Sequence, residues 1–160
     1  YLGMRMSEIA GVRFSDVRNG TIYIHNVVVY SGNGFVEKDM TKNDSSTRVV
    51  ALPEHLYKRI QAEPRESEDE KICKWKPSTI YNSYQRLLKK CNLPHYRFHD
   101  LRHSYAVASL RSGDDIKTVQ GNLGHATAAF TLDVYGHVTN QMQEASAIRM
   151  EAYIKGILEL

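Results

Sequence analysis

The chain has 160 residues, 42% of them hydrophobic, enough for one globular domain with a core of its own. Lysine and arginine total 21 against 18 acidic residues, a formal charge of +3 that tolerates a polyanionic partner without demanding one. The two cysteines, Cys73 and Cys91, form no CxxC pair, which argues against a disulfide framework or a thiolate metal site and favours a reducing, cytoplasmic setting. No apolar run approaches the roughly 20 residues of a membrane span.

YLGMRMSEIAGV reads as a helix already under way at the first residue, and the chain is therefore expected to be a fragment of a longer protein. Ile9, Ala10 and Val12 recur at helical spacing, and Phe14 to Val17 closes the element before the Asn19-Gly20 turn. Arg5 and Glu8, three apart, share a face; taken alone they read as a surface ion pair worth a few tenths of a kcal/mol. Thr21 to Tyr30, TIYIHNVVVY, is rich in β-branched and aromatic residues and predicts one strand. Phe35 to Met40 and Thr47 to Leu52 predict two more, with Lys42 to Ser45 as the tip of the hairpin between them. The expectation is an α+β fold, mainly helical, with a small three-stranded antiparallel sheet.

Pro53 opens a short helix to about Ala62 as a first-turn proline, and the acidic stretch Glu63 to Lys71 reads as an exposed loop. Ser78 to Cys91 is an amphipathic helix after Pro77. On the next predicted helix, Phe98 to Leu110, Leu101, Tyr105 and Ala108 form one side and His99 and Arg102 another. Asp114 or Asp115 caps a helix to about Asn122, and Gly124 suits its carboxyl-terminal turn. A helical segment through Phe130, Leu132, Val134 and Tyr135 follows, then a terminal helix from Met142 to Leu160.

The chemistry concentrates between Phe98 and Val138. His99 and Arg102 lie one turn apart, His125 follows Gly124 at a helix junction, and Tyr135 is flanked by Gly136 and His137. Attack on a phosphodiester builds charge on non-bridging oxygens, needs an activated nucleophile and leaves an alkoxide short of a proton. Guanidinium groups answer the first need with fixed, permanently charged donors. A tyrosine hydroxyl, with an ordinary pKa of about 10, answers the second when cations favour its phenolate. The rival reading takes His95, His99 and His103, spaced by four, as metal ligands. Against it, His95 follows Pro94 at the very start of the helix, there is no HExxH, and no carboxylate or cysteine completes the set.

Four ordered segments carry a resemblance. GMRMSEIAGVRFSDV resembles the first arginine box of the tyrosine recombinase, or phage integrase, family; KNDSSTRVVALP its hairpin lysine segment; HDLRHSYA its HxxR box; and LGHATAAFTLDVYGH its histidine-plus-tyrosine box. The match runs nearly end to end. It implies that residues 1–160 are a carboxyl-terminal catalytic domain, without the family's amino-terminal DNA-binding domain and first catalytic-domain helix. It implies that Arg5 and Arg102 clamp the scissile phosphate, that His99 and His125 hydrogen-bond to it, and that Tyr135 is the nucleophile. Lys42 becomes the general acid, with Lys38 a weaker substitute, while Glu8 orients the first arginine; His103 and His137 support.

The implied reaction is transesterification on double-stranded DNA through a 3′-phosphotyrosyl link, with neither metal nor nucleotide cofactor, no small-molecule substrate and no membrane. The implied assembly is a tetramer on paired sites. The tail, whose Ile148, Tyr153, Ile154 and Leu158 need burial, packs either on its own domain or in trans on a neighbour. A DNA-binding module of the same fold without turnover, a type IB topoisomerase and a metal-dependent nuclease are the other readings.

Overall fold

The computed structural model describes residues 1–40, 46–124 and 140–158. The chain enters in extended conformation and turns at Gly3, whose φ of +60° lies in the left-handed region. A Cβ there would come within 2.5 Å of the Tyr105 ring and 2.7 Å of Leu123, so this position is closed to side chains. Helix α1 then spans only Met6–Ile9. The expected helix from residue 1 is thus corrected: the Glu8 carboxylate accepts from the Arg5 backbone N–H at 2.7 Å, capping a helix that starts there. A 3₁₀ turn, Phe14–Asp16, follows.

The predicted Thr21–Tyr30 strand is two strands in two sheets. β1 (Val17–Arg18), β2 (Thr21–Ile24) and β5 (Arg48–Ala51) form an antiparallel sheet in the order β1-β2-β5, with Ile22 opposite Val50. β3 (Asn26–Tyr30) and β4 (Phe35–Asp39) pair as a separate ribbon, with Val28 opposite Glu37. The break falls at His25, whose Nε2 lies 2.9 Å from Asp16 Oδ1 and whose ring stacks on Tyr23 at 4.6 Å. The expected β4–β5 hairpin is corrected too, since β4 pairs with β3 and β5 with β2. Its tip, including Lys42, lies outside the described residues.

Pro53 precedes helix α2 (Glu54–Ala62) at the cap position rather than in its first turn. The acidic loop is largely exposed, yet its backbone is stitched to the 3₁₀ turn: Phe14 and Ser15 donate to the carbonyls of Glu70 and Glu68. Helix α3 is Pro77–Lys90, α4 is Phe98–Ser112 ending at left-handed Gly113, and α5 is Ile116–Leu123, capped by the Asp115 carboxylate accepting from Thr118 N–H. A last helix, α6, spans Asn140–Leu158. The segment expected from Phe130 to Tyr135 lies outside the described residues. No described helix is long and apolar enough to cross a membrane.

Two apolar clusters result. Val12, Phe14, Val17, Ile22, Ile24, Val50, Leu52 and Ile60 fill the space between the sheet and its flanking turns. Ala106, Leu110, Val119 and Leu123 join α4 to α5. The inward face of α4 is Arg102, Ala106, Ser109 and Leu110, whereas Leu101 and Ala108 are exposed. The expected split is corrected in part: Tyr105 packs against the cluster, but Arg102 faces inward as well, because backbone carbonyls satisfy its guanidinium from within.

Candidate active site

Glu8 is the centre of the site. Its residue is 0% exposed, which overturns the surface ion pair expected from the Arg5/Glu8 spacing. Burial alone would push this carboxyl up; the hydrogen bonds and charge of Arg48, with the backbone and side-chain donors of Arg5, outweigh it and hold the group below the ordinary glutamate range. Arg5 Nη1 donates to Glu8 Oε1 at 2.7 Å. Arg48 adds a bidentate pair, Nη1 to Oε1 at 3.0 Å and Nη2 to Oε2 at 2.9 Å.

Sequence reasoning missed Arg48. The available signal was its register: in RVVA, Arg48 alternates in phase with buried Val50, so a charged residue points inward from the sheet. An inward arginine on a short strand calls for a buried anion, and Glu8 supplies it.

Three guanidiniums converge on the carboxyl end of α5. Arg48 Nε donates to Asn122 O at 2.7 Å, Arg102 Nη2 to Leu123 O, and Arg5 Nη2 to Gly124 O at 3.3 Å. The last carbonyls of a helix carry partial negative charge and lack intrahelical donors, so cations are favoured there. Arg102 also donates to Gly3 O at 2.8 Å, tying the chain entry to the same point. Gly124 closes the helix at φ +63°, and a Cβ on it would press on the Arg48 side chain at 3.0 Å.

Arg5 and Arg102 differ in access. The Arg5 side chain is 34% exposed, whereas Arg102 is 3% exposed. His99 is exposed in the first turn of α4, its ring edge-on to His103 at 4.8 Å. Partial burial, then the positive charges of His103, Arg102, Arg5 and Arg97, hold the His99 imidazole below its ordinary range. At neutral pH it is a neutral ring with one N–H to donate. His95 stands outside α4, its Nε2 3.3 Å from the Tyr81 hydroxyl, so it does not share a face with His99 and His103. Among the described residues no group of three or more histidine, cysteine or carboxylate side chains could hold a metal ion.

The structure thus brings together Arg5, Glu8, Arg102 and, by its electrostatics, His99. His125, Tyr135 and His137 lie outside the described residues, although the described chain leads into His125 directly from the arginine-bound carbonyls. Lys38 is exposed on β4, opposite Val27.

A buried carboxylate thus aims a partly exposed arginine whose charge is felt at the His99 imidazole. The phage integrase family model matches residues 1–142, and the chain belongs to that family, the tyrosine recombinases. Among similar proteins, a tyrosine recombinase of Thermosipho africanus is 31% identical, over 88% of this chain and 47% of that protein. The ICEBs1 integrase of Bacillus subtilis is 28% identical, over 93% of this chain and 45% of that protein. The chain spans less than half the length of these curated relatives. Among solved structures, the Tn1549 transposon integrase in complex with transposon right end DNA superposes with a TM-score of 0.74, at 23% identity, over 94% of this chain and 56% of that one. XerA recombinase superposes with a TM-score of 0.64, at 24% identity, over 94% of this chain and 54% of that one. These structures share the α+β fold expected from the sequence.

Proposed function

We propose that this chain is the catalytic part of a site-specific DNA recombinase that cuts and rejoins double-stranded DNA through a 3′-phosphotyrosyl intermediate. The observation that carries the proposal is the Arg5–Glu8–Arg48 arrangement at the end of α5, immediately ahead of His125. A cation held this firmly and left half open is suited to a phosphodiester, and the Tn1549 integrase, which shares the fold, was solved with DNA.

In the proposed reaction Arg5 and Arg102 clamp the scissile phosphate, Arg5 from its exposed side. His99 and His125 donate to the non-bridging oxygens. The Tyr135 hydroxyl gives its proton to solvent as its oxygen attacks phosphorus, the bond to the 5′ oxygen breaks, and Lys42 protonates that departing oxygen to a hydroxyl. A 5′ hydroxyl from a partner duplex then attacks the phosphotyrosyl link and releases Tyr135. The guanidiniums carry the transition-state charge, so no metal or nucleotide enters. Other segments of a longer protein add DNA contacts. Four subunits act on paired sites, and α6, with Met150, Tyr153, Ile154 and Ile157 exposed, docks on a neighbour.

The experiment separates acid from nucleophile. Tyr135→Phe should abolish the covalent adduct and leave DNA binding intact. Lys42→Ala should slow cleavage, and a substrate with sulfur in place of the departing 5′ oxygen, which needs little protonation, should restore it. An undiminished adduct in Tyr135→Phe would overturn the proposal.

A further inference from the structure

We infer that Arg48 is a positioning residue for the cleavage reaction, fixing the aim of Arg5 through Glu8 and, with its Nε–H, the end of α5 from which His125 emerges. The inference rests on the proposed recombinase chemistry and adds a residue to it.

Arg48 begins β5, and its side chain is 6% exposed. Its donors are divided among three parts of the chain: Glu8 on α1, Asn122 O at the end of α5 at 2.7 Å, and Ser46 O at 2.8 Å in the approach to β5. Each part borders a candidate group. Glu8 holds both the backbone and the guanidinium of Arg5, Asn122 lies three residues before His125, and Ser46 lies four residues after Lys42. A planar guanidinium can serve a carboxylate and two carbonyls at once, whereas the compact ammonium of lysine cannot span them.

Energetics point the same way. A buried ion pair contributes little more to stability than apolar residues of the same volume, because desolvating both charges offsets their attraction. What such a pair supplies instead is fixed geometry. Catalysis is sensitive to it, since a displacement of about 1 Å in a positioning group can cost about a hundredfold in rate.

The test uses single-turnover adduct formation on a nicked half-site at saturating DNA, with affinity measured separately. Arg48→Lys and Arg48→Met should each slow adduct formation about a hundredfold, with affinity changed by less than about threefold. Combining either with Arg5→Lys should cost less than the product of the two single losses, because the route through Glu8 ends on the Arg5 guanidinium. On a methylphosphonate substrate, which lacks one non-bridging charge, the deficit should shrink to about tenfold or less. If Arg48→Met fails to fold, Glu8→Leu combined with Arg48→Met removes both charges together and should show the same deficit. Unchanged rates, losses that multiply with Arg5→Lys, or an equal deficit on both substrates would each overturn the inference. Absence of an adduct with the unmodified protein would overturn the recombinase reading itself.

Discussion

Arg5 and Arg102 donate to the carbonyl oxygens of consecutive residues, Gly124 and Leu123, so two guanidiniums distant in sequence meet at one helix terminus. Their burial separates their roles. Arg102 is enclosed and holds the chain entry to α5, whereas Arg5 shares the anchor but keeps an open face.

That difference predicts a split between stability and activity. Arg102→Lys leaves one of two carbonyls, the half-buried Gly3 O or the buried Leu123 O, without its donor and should cost about 1–3 kcal/mol. Arg5→Lys should cost less than about 1 kcal/mol, because the side chain is already 34% exposed and Arg48 still holds Glu8 in a bidentate pair. Urea denaturation measures both. Adduct formation should fall sharply in each variant, so equal stability losses would contradict the assignment of Arg102 as the structural partner.

Glu8 ties stability to pH in a stated direction. Its carboxyl sits below the ordinary value of 4.5 in the folded protein, so its contribution is fully present above about pH 5 and is lost as pH falls through the lowered folded value. Glu8→Gln strands the buried Arg48 charge and should destabilise by about 3 kcal/mol at neutral pH. The gap between the two proteins should narrow steadily below pH 4.5 in acid titrations followed by circular dichroism. A gap independent of pH would show that the carboxylate is not what the arginines need.

His99 provides a spectroscopic prediction. Burial and neighbouring cations lower its folded value, so the free protein gains stability as pH rises through the ordinary histidine value of 6.5. In nuclear magnetic resonance titrations the His99 ring should protonate below 6.5 in the free protein. A bound phosphate adds negative charge and should shift that midpoint upward. A midpoint unmoved by DNA would place His99 away from the phosphate.

Much of this was legible in the residues. Gly124 at a carboxyl-terminal turn, Asp115 as a cap, Pro77 at the start of α3 and the four ordered boxes all depend on local chemistry that a linear string displays. What escaped depends on partners distant in sequence. TIYIHNVVVY is rich in strand-forming residues, and the chain changes sheets at His25, whose ring meets Asp16, nine residues back. Leu101 is apolar yet exposed, because α4 turns Arg102 inward to carbonyls supplied by residues 3 and 123. Arg48 sat inside a segment noticed for its lysine, and its partner Glu8 lies 40 residues away.

Charge supplied by arginine rather than metal gives a further expectation. Adduct formation should proceed at an unchanged rate in EDTA after exhaustive metal removal. It should weaken steeply with added salt, because binding through phosphate contacts releases counterions. Loss of activity in EDTA, restored by a divalent ion, would favour a metal-dependent nuclease.

The central claim is covalent. The protein is incubated with a nicked DNA half-site whose cleaved fragment diffuses away, the trapped complex is digested, and the modified peptide is sequenced by mass spectrometry. The account predicts a single 3′-phosphonucleotide on Tyr135; an adduct on any other residue, or none at all from a protein that binds the DNA, would contradict it.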